Sequence, residues 1–318
     1  MKLATYNVEW FDRLFDDDGQ LITDSTWSGR WDVTKAMQAE ALGHVFKALD
    51  ADAVMIIEAP DSSRRRDGVF ALEGFAAGFN LRARRALVGF ANDTQQEIAL
   101  LYDPDIISAE HTPIGDPRFD EAFQMDVDLD AHPDPIRWSK PPLEVTLTHG
   151  AKAMQLIGVH AKSKAPHGAT NKAEATRMSI ANRRKQLAQC IWLRQRVEQH
   201  LAASNPLIVM GDFNDGPGLD EYEKLFGRSS IEIVLGEGAG TQLPAPEAPA
   251  QAMVPVATEA GELADARGVA ASMIFGGGLA PLPLIADAPK PRAKAPRMKH
   301  TVYNFEVEGL HTYIADGF

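Results

Sequence analysis

The chain has 318 residues, 45% hydrophobic and 24% charged, with a formal net charge of −12. That balance is ordinary for a soluble globular protein of one large domain, or of a domain plus an appendage. The acidity argues against a protein that coats nucleic acid through bulk electrostatics, though not against an enzyme with a local basic cleft.

The one cysteine, Cys190, excludes an internal disulfide and a cysteine-rich zinc site. It stands among apolar neighbours at helical spacing and reads as a buried packing thiol. The opening "MKLATYNVEWF" lacks the long apolar core of a signal peptide, and no later run is long enough to span a membrane. The expectation is a cytoplasmic chain with no membrane partner; the oligomeric state is not legible.

In chain order, Leu3 to Phe11 reads as a strand and Thr34 to Leu49 as an amphipathic helix. Ala53 to Ile57 is a short buried strand ending on Glu58. Further strands are expected at "LRARRALVGF" (81–90), "EIALLYDP" (97–104), "PLEVTLTH" (142–149) and "MQLIGVHAK" (154–162). Asn171 to Ala203 reads as a long helix whose stripe runs through Ile180, Leu187, Ile191, Leu193, Val197 and Leu201. Its cluster Arg183-Arg184-Lys185 reads as a solvated face. Arg64-Arg65-Arg66 and Arg82, Arg84 and Arg85 are either solvated or the lining of a nucleic-acid groove. "PLIVMGDFNDGP" (206–217) is a buried strand stopped by a Gly-Pro turn. A short helix around Leu219–Phe226 and a strand at Ile231–Leu235 follow. Several strands have hairpin-like spacing, so a mixed sheet, or two packed sheets with helices outside, fits better than a parallel sheet.

The composition changes near Gly236. Nine of the 20 prolines fall between Pro244 and Pro296, and "PAPEAPAQ" and "APKPRAKAPR" are linker compositions. His300 to Gly317 then reads as a terminal hairpin about a Glu-Gly turn. The expected division is a domain over 1–235, an Ala/Pro/Gly-rich segment over 236–299 and the hairpin over 300–318.

Chemistry gathers at strand ends. Asn7 sits inside "TYNVEWF", Glu58 ends "AVMIIE", His160 ends "LIGVH", and Asp212 and Asn214 close "LIVMGDFN". Each alone has a structural explanation: a turn cap, an arginine partner, a satisfied core histidine. Together they make one site. A lone carboxylate with amide and water ligands suits Mg²⁺. Phosphate ester hydrolysis needs a cation on the non-bridging oxygens, donors for the developing charge and a base that orients water. Glu58 is the expected metal residue. Asn7, Asn214 and His160 are expected donors to phosphoryl oxygens, and Asp212 the group that orients or deprotonates water. Lys162 and Lys164 add positive charge at the mouth.

"TYNVEWF", "MIIEAPD", "GVHAKSKAPHG" and "VMGDFNDGP" resemble successive motifs of the endonuclease/exonuclease/phosphatase (DNase I-like) superfamily, in its order and spacing, over about residues 1–235. The resemblance implies a four-layer α/β sandwich, two packed mixed sheets flanked by helices. It also implies Mg²⁺ or Mn²⁺ as cofactor and a phosphoester substrate, DNA and RNA among the candidates. Carried across, Asn7 and Glu58 stand at the metal, His160 at the phosphate, and Asp212 and Asn214 in the family's "GDFN" box.

The family's closing aspartate strand and terminal Ser-Asp-His element have no counterpart after Asn214. The expected sandwich is therefore incomplete at its C-terminal side. "VYNFEVEGLHTYIADG" instead resembles the penultimate motif of Hint (hedgehog/intein-type) domains, without the nucleophile block that opens such a module. Three functional readings follow: a metal-dependent phosphodiesterase, with nuclease activity as one form; a truncated or fused remnant that binds metal and phosphate without turnover; or a fusion whose tail serves secretion or assembly and carries the nuclease half as cargo.

Overall fold

The computed structural model describes residues 1–63, 66–92, 94, 96–125, 133–215, 219, 224 and 227–236, together with the backbone of 303–307 and 310–314. The elements are β1 (Lys2–Asn7), a 3-10 turn (Phe11–Leu14), α1 (Lys35–Leu49), β2 (Ala53–Pro60), α2 (Gly68–Gly78), β3 (Arg85–Val88), β4 (Gln96–Tyr102) and β5 (Ser108–His111). They continue with β6 (Phe123–Met125), β7 (Asp134–Ile136), β8 (Leu143–His149), β9 (Lys152–His160), α3 (Lys172–Ala202), β10 (Leu207–Asp212), α4 (Ser230–Leu235), β11 (Tyr303–Val307) and β12 (Leu310–Ile314).

Two mixed sheets form, ordered β11-β12-β1-β2-β4-β3 and β10-β9-β8-β5, with β6 and β7 as a separate ribbon. Between the sheets lie Leu3, Met55, Ile57, Ile98 and Leu100 from the first and Leu143, Val145, Leu147, Leu156 and Met210 from the second. The alternate residues of the first sheet, Ala4, Val54, Ile56, Ala99 and Leu101, pack against Leu42 and Phe46 of α1 and Leu72 and Phe75 of α2. Ile157 and Val159 of the second sheet face Ala188, Cys190, Trp192, Leu193 and Val197 of α3. Because side chains alternate across a strand, β2 and β9 feed two different cores, which is why Ala53–Ile57 and Leu156–Val159 are apolar on both faces. The result is the expected four-layer α/β sandwich.

The sheets approach closely at Gly158, where a Cβ would lie 2.4 Å from the Met55 sulfur. Cys190 is fully buried, and burial pushes its thiol up to about 12. The hairpin expected at the end of the chain forms between β11 and β12, and β12 pairs in parallel with β1, Lys2 opposite His311. The sandwich was expected to be incomplete at its C-terminal side; backbone of this hairpin pairs with β1 there.

Three expectations need correction. Ile231–Leu235, whose β-branched alternation suggests a strand, is helical: Ser229 and Glu232 form a reciprocal capping box, and the helix packs on α3. Arg183 is not solvated; it is 1% exposed and bonded to Gln186, while the stripe residue Leu201 is 55% exposed. The first strand stops at Asn7 rather than Phe11, because Glu9 and Trp10 both take left-handed backbone and the Asn7 side chain accepts from Glu9 N. Of the helix expected around 219–226 only residues 219 and 224 are described, and the segment 237–302 lies outside the described residues.

Candidate active site

The topology brings the expected residues to one edge. β1 and β2 run parallel, as do β9 and β10, so Asn7, Glu58, His160 and Asp212 all sit toward strand C-termini. His160 and Asp212 are direct register partners across the β9–β10 ladder. The antiparallel neighbours contribute from their starts: Gln96 begins β4 opposite Pro60, and Lys140 lies just before β8.

Glu58 occupies a β-bulge. The register with β4 shifts between Ile57 and Ala59, and Glu58 has φ 64°. The extra residue turns the carboxylate toward the sheet edge, the usual effect of a bulge beside a site. Asn214 is the other site residue in the left-handed region, at φ 50°. Such conformations cost free energy that the surrounding fold must offset.

One hydrogen-bonded cluster results. Asn7 Nδ2 donates to Asp212 Oδ2 at 2.8 Å. Glu58 Oε2 accepts from Gln96 Nε2 at 2.8 Å and from Trp10 N at 3.3 Å. Lys140 Nζ lies 2.7 Å from Gln96 Oε1 and 3.1 Å from His160 Nδ1. His160 Nε2 stands 4.0 Å from Glu58 Oε1 and 3.8 Å from Asp212 Oδ2, so the imidazole is lodged between two carboxylates. Burial, reinforced by the Lys140 charge and opposed by Asp212, holds His160 well below the ordinary imidazole range. Desolvation likewise lowers Lys140, against the pull of Glu58 and Asp212.

Asn214 Nδ2 donates to the Ala161 carbonyl at 2.9 Å, and its backbone N–H to Asp212 Oδ1 at 2.7 Å. It therefore staples the loop after β10 to the end of β9 and fixes the Asp212 carboxylate. Lys164 pairs with Asp215 at 2.6 Å, and Asp215 in turn accepts from Ser230 N at the start of α4. Lys162 is bonded through its backbone to Gln189. The cation inside the site is Lys140, which sequence reasoning missed together with Gln96. The hairpin "LTHGAKAM" was the available signal: its register sets the residues before β8 opposite the end of β9.

The described arginines of the basic clusters are ion-paired. Arg82 bonds Asp50 and Asp52 at 2.6 Å each and Asp103 at 3.2 Å; Arg84 meets Asp105, and Arg85 meets Glu73. Arg66 is bonded to Asp61 and to the Asp12 carbonyl; Arg64 and Arg65 lie outside the described residues.

The family model described as Endonuclease/Exonuclease/phosphatase family matches residues 4–257. The chain belongs to that family. The match runs past the change in composition near Gly236. Its members act on phosphate esters as hydrolases and are generally dependent on divalent metal. Among solved structures, the chain is similar to beta toxin from Staphylococcus aureus in a β-hairpin deletion mutant (15% identity, 71% of each chain covered, TM-score 0.39). It is also similar to truncated TDP2 from Caenorhabditis elegans (14% identity, 56% of this chain, 55% of that one, TM-score 0.32). A third is D. rerio TDP2 complexed with a single-strand DNA product (12% identity, 59% and 57% covered, TM-score 0.31). The chain thus spans little more than half the length of the TDP2 structures. No curated protein sequence matches it.

The donor set fits the hard cation that family membership implies. Glu58 offers Oε1, whose neighbours Lys140 and His160 stand off at 4.0 Å, while Oε2 is held by two N–H groups. Asn7 Oδ1 accepts one hydrogen bond, from Glu9 N at 3.1 Å. Among the described residues no set of three His, Cys, Asp or Glu side chains forms a closed cage. One carboxylate, an amide oxygen and water make an oxygen set suited to Mg²⁺, which retains several waters, and unsuited to a structural zinc. No helix among the described residues is long and apolar enough to cross a membrane.

Proposed function

We propose that this chain hydrolyses phosphodiesters with the help of one Mg²⁺ or Mn²⁺, with Glu58 and Asn7 as the metal residues. The observation that carries the reading is the placement of His160 within 4.0 Å of both Glu58 and Asp212 at one edge of the sandwich. When bound, the metal would supply Lewis-acid stabilisation of charge on a phosphoryl oxygen. The protein's own groups do the rest. Asp212, held by Asn7 and by the Asn214 backbone, takes the proton of the attacking water. His160 and the second amide hydrogen of Asn214 donate to non-bridging oxygens, and Lys140 adds positive charge beside them. The new bond is water oxygen to phosphorus, and the bond lost is phosphorus to the ester oxygen, which leaves with a proton from solvent.

The substrate is a phosphodiester, with DNA and RNA as the first candidates. The catalytic domain is residues 1–235, followed by the 236–299 segment and the 300–318 hairpin. The second reading, a site that binds metal and phosphate without turnover, is favoured by one feature: no Ser-Asp-His triplet follows Asn214. A substrate panel separates the possibilities: plasmid DNA, single-strand DNA, RNA, a phosphocholine lipid and a phosphomonoester, each with Mg²⁺ and with EDTA. Cleavage of a nucleic acid that EDTA stops supports the nuclease form. Cleavage of the monoester alone would contradict the diester assignment.

A further inference from the structure

We propose that Lys140 fixes His160 in the Nε2–H tautomer, so that the ring proton is aimed into the space between Glu58 and Asp212. Lys140 is on this account a positioning residue, and its role deepens the proposed phosphodiester site, on which it rests. The direction of every bond in the cluster follows from one fixed point. The Glu58 carboxylate only accepts, and it lies 2.8 Å from the Gln96 amide, so that contact is Gln96 Nε2–H. Gln96 then presents Oε1 to Lys140, at 2.7 Å, and the ammonium donates. An ammonium carries three N–H donors and no acceptor. Its 3.1 Å contact with His160 Nδ1 therefore requires Nδ1 to be the accepting, unprotonated nitrogen. The remaining ring hydrogen belongs on Nε2.

The surroundings of Nε2 agree with this assignment. The groups facing it are both acceptors, Glu58 Oε1 at 4.0 Å and Asp212 Oδ2 at 3.8 Å. Both distances are too long for a direct hydrogen bond and leave room for an acceptor between them. A phosphoryl oxygen there would meet a donor whose direction is set before binding, which is how preorganised donors lower a barrier. The side chains are 15% exposed for Lys140 and 10% for His160, so solvent has little access to replace the lysine as the partner of Nδ1. The chain of fixed directions, from Glu58 through Gln96 and Lys140 to His160, joins β2, β4, the approach to β8 and β9. It ties the two sheets together at their common edge.

The test is ¹⁵N–¹H correlation of the histidine rings in the full chain, with His160 assigned by its loss in His160→Gln. The parent is expected to show Nε2 as the protonated and Nδ1 as the unprotonated, hydrogen-bonded nitrogen. In Lys140→Met, Nδ1 is expected to leave the hydrogen-bonded position and the Nε2–H form to lose its exclusivity. Lys140→Arg keeps the donors and the charge, and is expected to retain the Nε2–H form if the methionine variant does not fold. An Nδ1–H ring in the parent or the arginine variant would overturn the proposal, as would ring shifts in a folded Lys140→Met that match the parent. Where a phosphodiester is turned over, Lys140→Met should lower kcat by about 100-fold, as for loss of one preorganised donor, with the smaller change in KM. A kcat equal to the parent's would count against the positioning role. The ring shifts are read without turnover, so an inactive chain with the expected tautomer would refute the hydrolase reading alone.

Discussion

Glu58 pairs a chemical role with a backbone cost. Its φ of 64° lies in the region that favours glycine, at a bulge in the middle of a buried strand. Glu58→Gln should abolish turnover and weaken Mn²⁺ binding, because under the proposed function it removes the carboxylate that holds the metal. Glu58→Gly should also be inactive, yet unfold at a higher temperature than Glu58→Gln, by about 1 kcal/mol for relief of left-handed backbone. A glycine variant less stable than the glutamine variant would show that the bulge stores no such strain. His160→Ala should reduce turnover while Mn²⁺ binding is kept; loss of both would place His160 at the metal instead.

Glu97 makes a separate prediction in pH. It is 3% exposed, and desolvation, with Asp61 adding repulsion, lifts its carboxyl from 4.5 to about 7 against its hydrogen bonds with Asn92. Folding therefore favours the protonated acid. Its contribution to stability is complete below the unfolded value and is lost as pH rises through 7. Glu97→Gln is neutral throughout, so its Tm relative to the parent should climb between about pH 5 and about pH 8, by at most about 3 kcal/mol in stability. A difference that stays flat over that range would mean that Glu97 ionises normally.

At the scale of elements, α3 is held to the second sheet by a buried ion pair as well as by its apolar face. Arg196 and Glu144 are each 2% exposed side chains in direct contact. The guanidinium also donates to the Pro117 carbonyl at 3.1 Å and lies 4.4 Å over the Phe119 ring. Truncating one partner leaves the other charge buried, so Glu144→Ala should cost about 3–5 kcal/mol, read as a lower denaturation midpoint. A loss below 1 kcal/mol would mean that water reaches Arg196 in the variant.

The elements were legible where a period was strong or a cap explicit. Thr34 and Asn171 cap α1 and α3 where the patterns begin. The sequence reading overlooked α2, whose "GVFALEGFAAG" is glycine-rich and apolar on most faces; the Asp67 cap was the usable sign. It took α4 for a strand because Ile231, Ile233, Val234 and Leu235 are apolar and mostly β-branched, in a run too short to show a helical period. The Ser229–Glu232 box was the better guide. Arg183 looks solvated in a charged helix, and only tertiary packing buries it.

For the whole molecule, the sandwich exists to bring strand ends from two sheets to one edge. The two cores and the outer helices set where Asn7, Glu58, His160 and Asp212 meet. Glu58, His160 and Asp212 were readable because each is a polar residue that ends an apolar run, and Asn7 because an amide between Tyr6 and Val8 stands out. Lys140 and Gln96 were not, since each sits at the start of an antiparallel strand, and their place depends on register rather than on a run's end.

Hydrolysis of a chromogenic phosphodiester by the full chain, with Mg²⁺ or Mn²⁺ and with EDTA, run against Glu58→Gln, decides whether this edge is a working active site. Metal-dependent turnover is expected in the parent and none above background in the variant. A folded parent that binds Mn²⁺ but never exceeds the variant would contradict it, and would leave a site that holds metal and phosphate without chemistry.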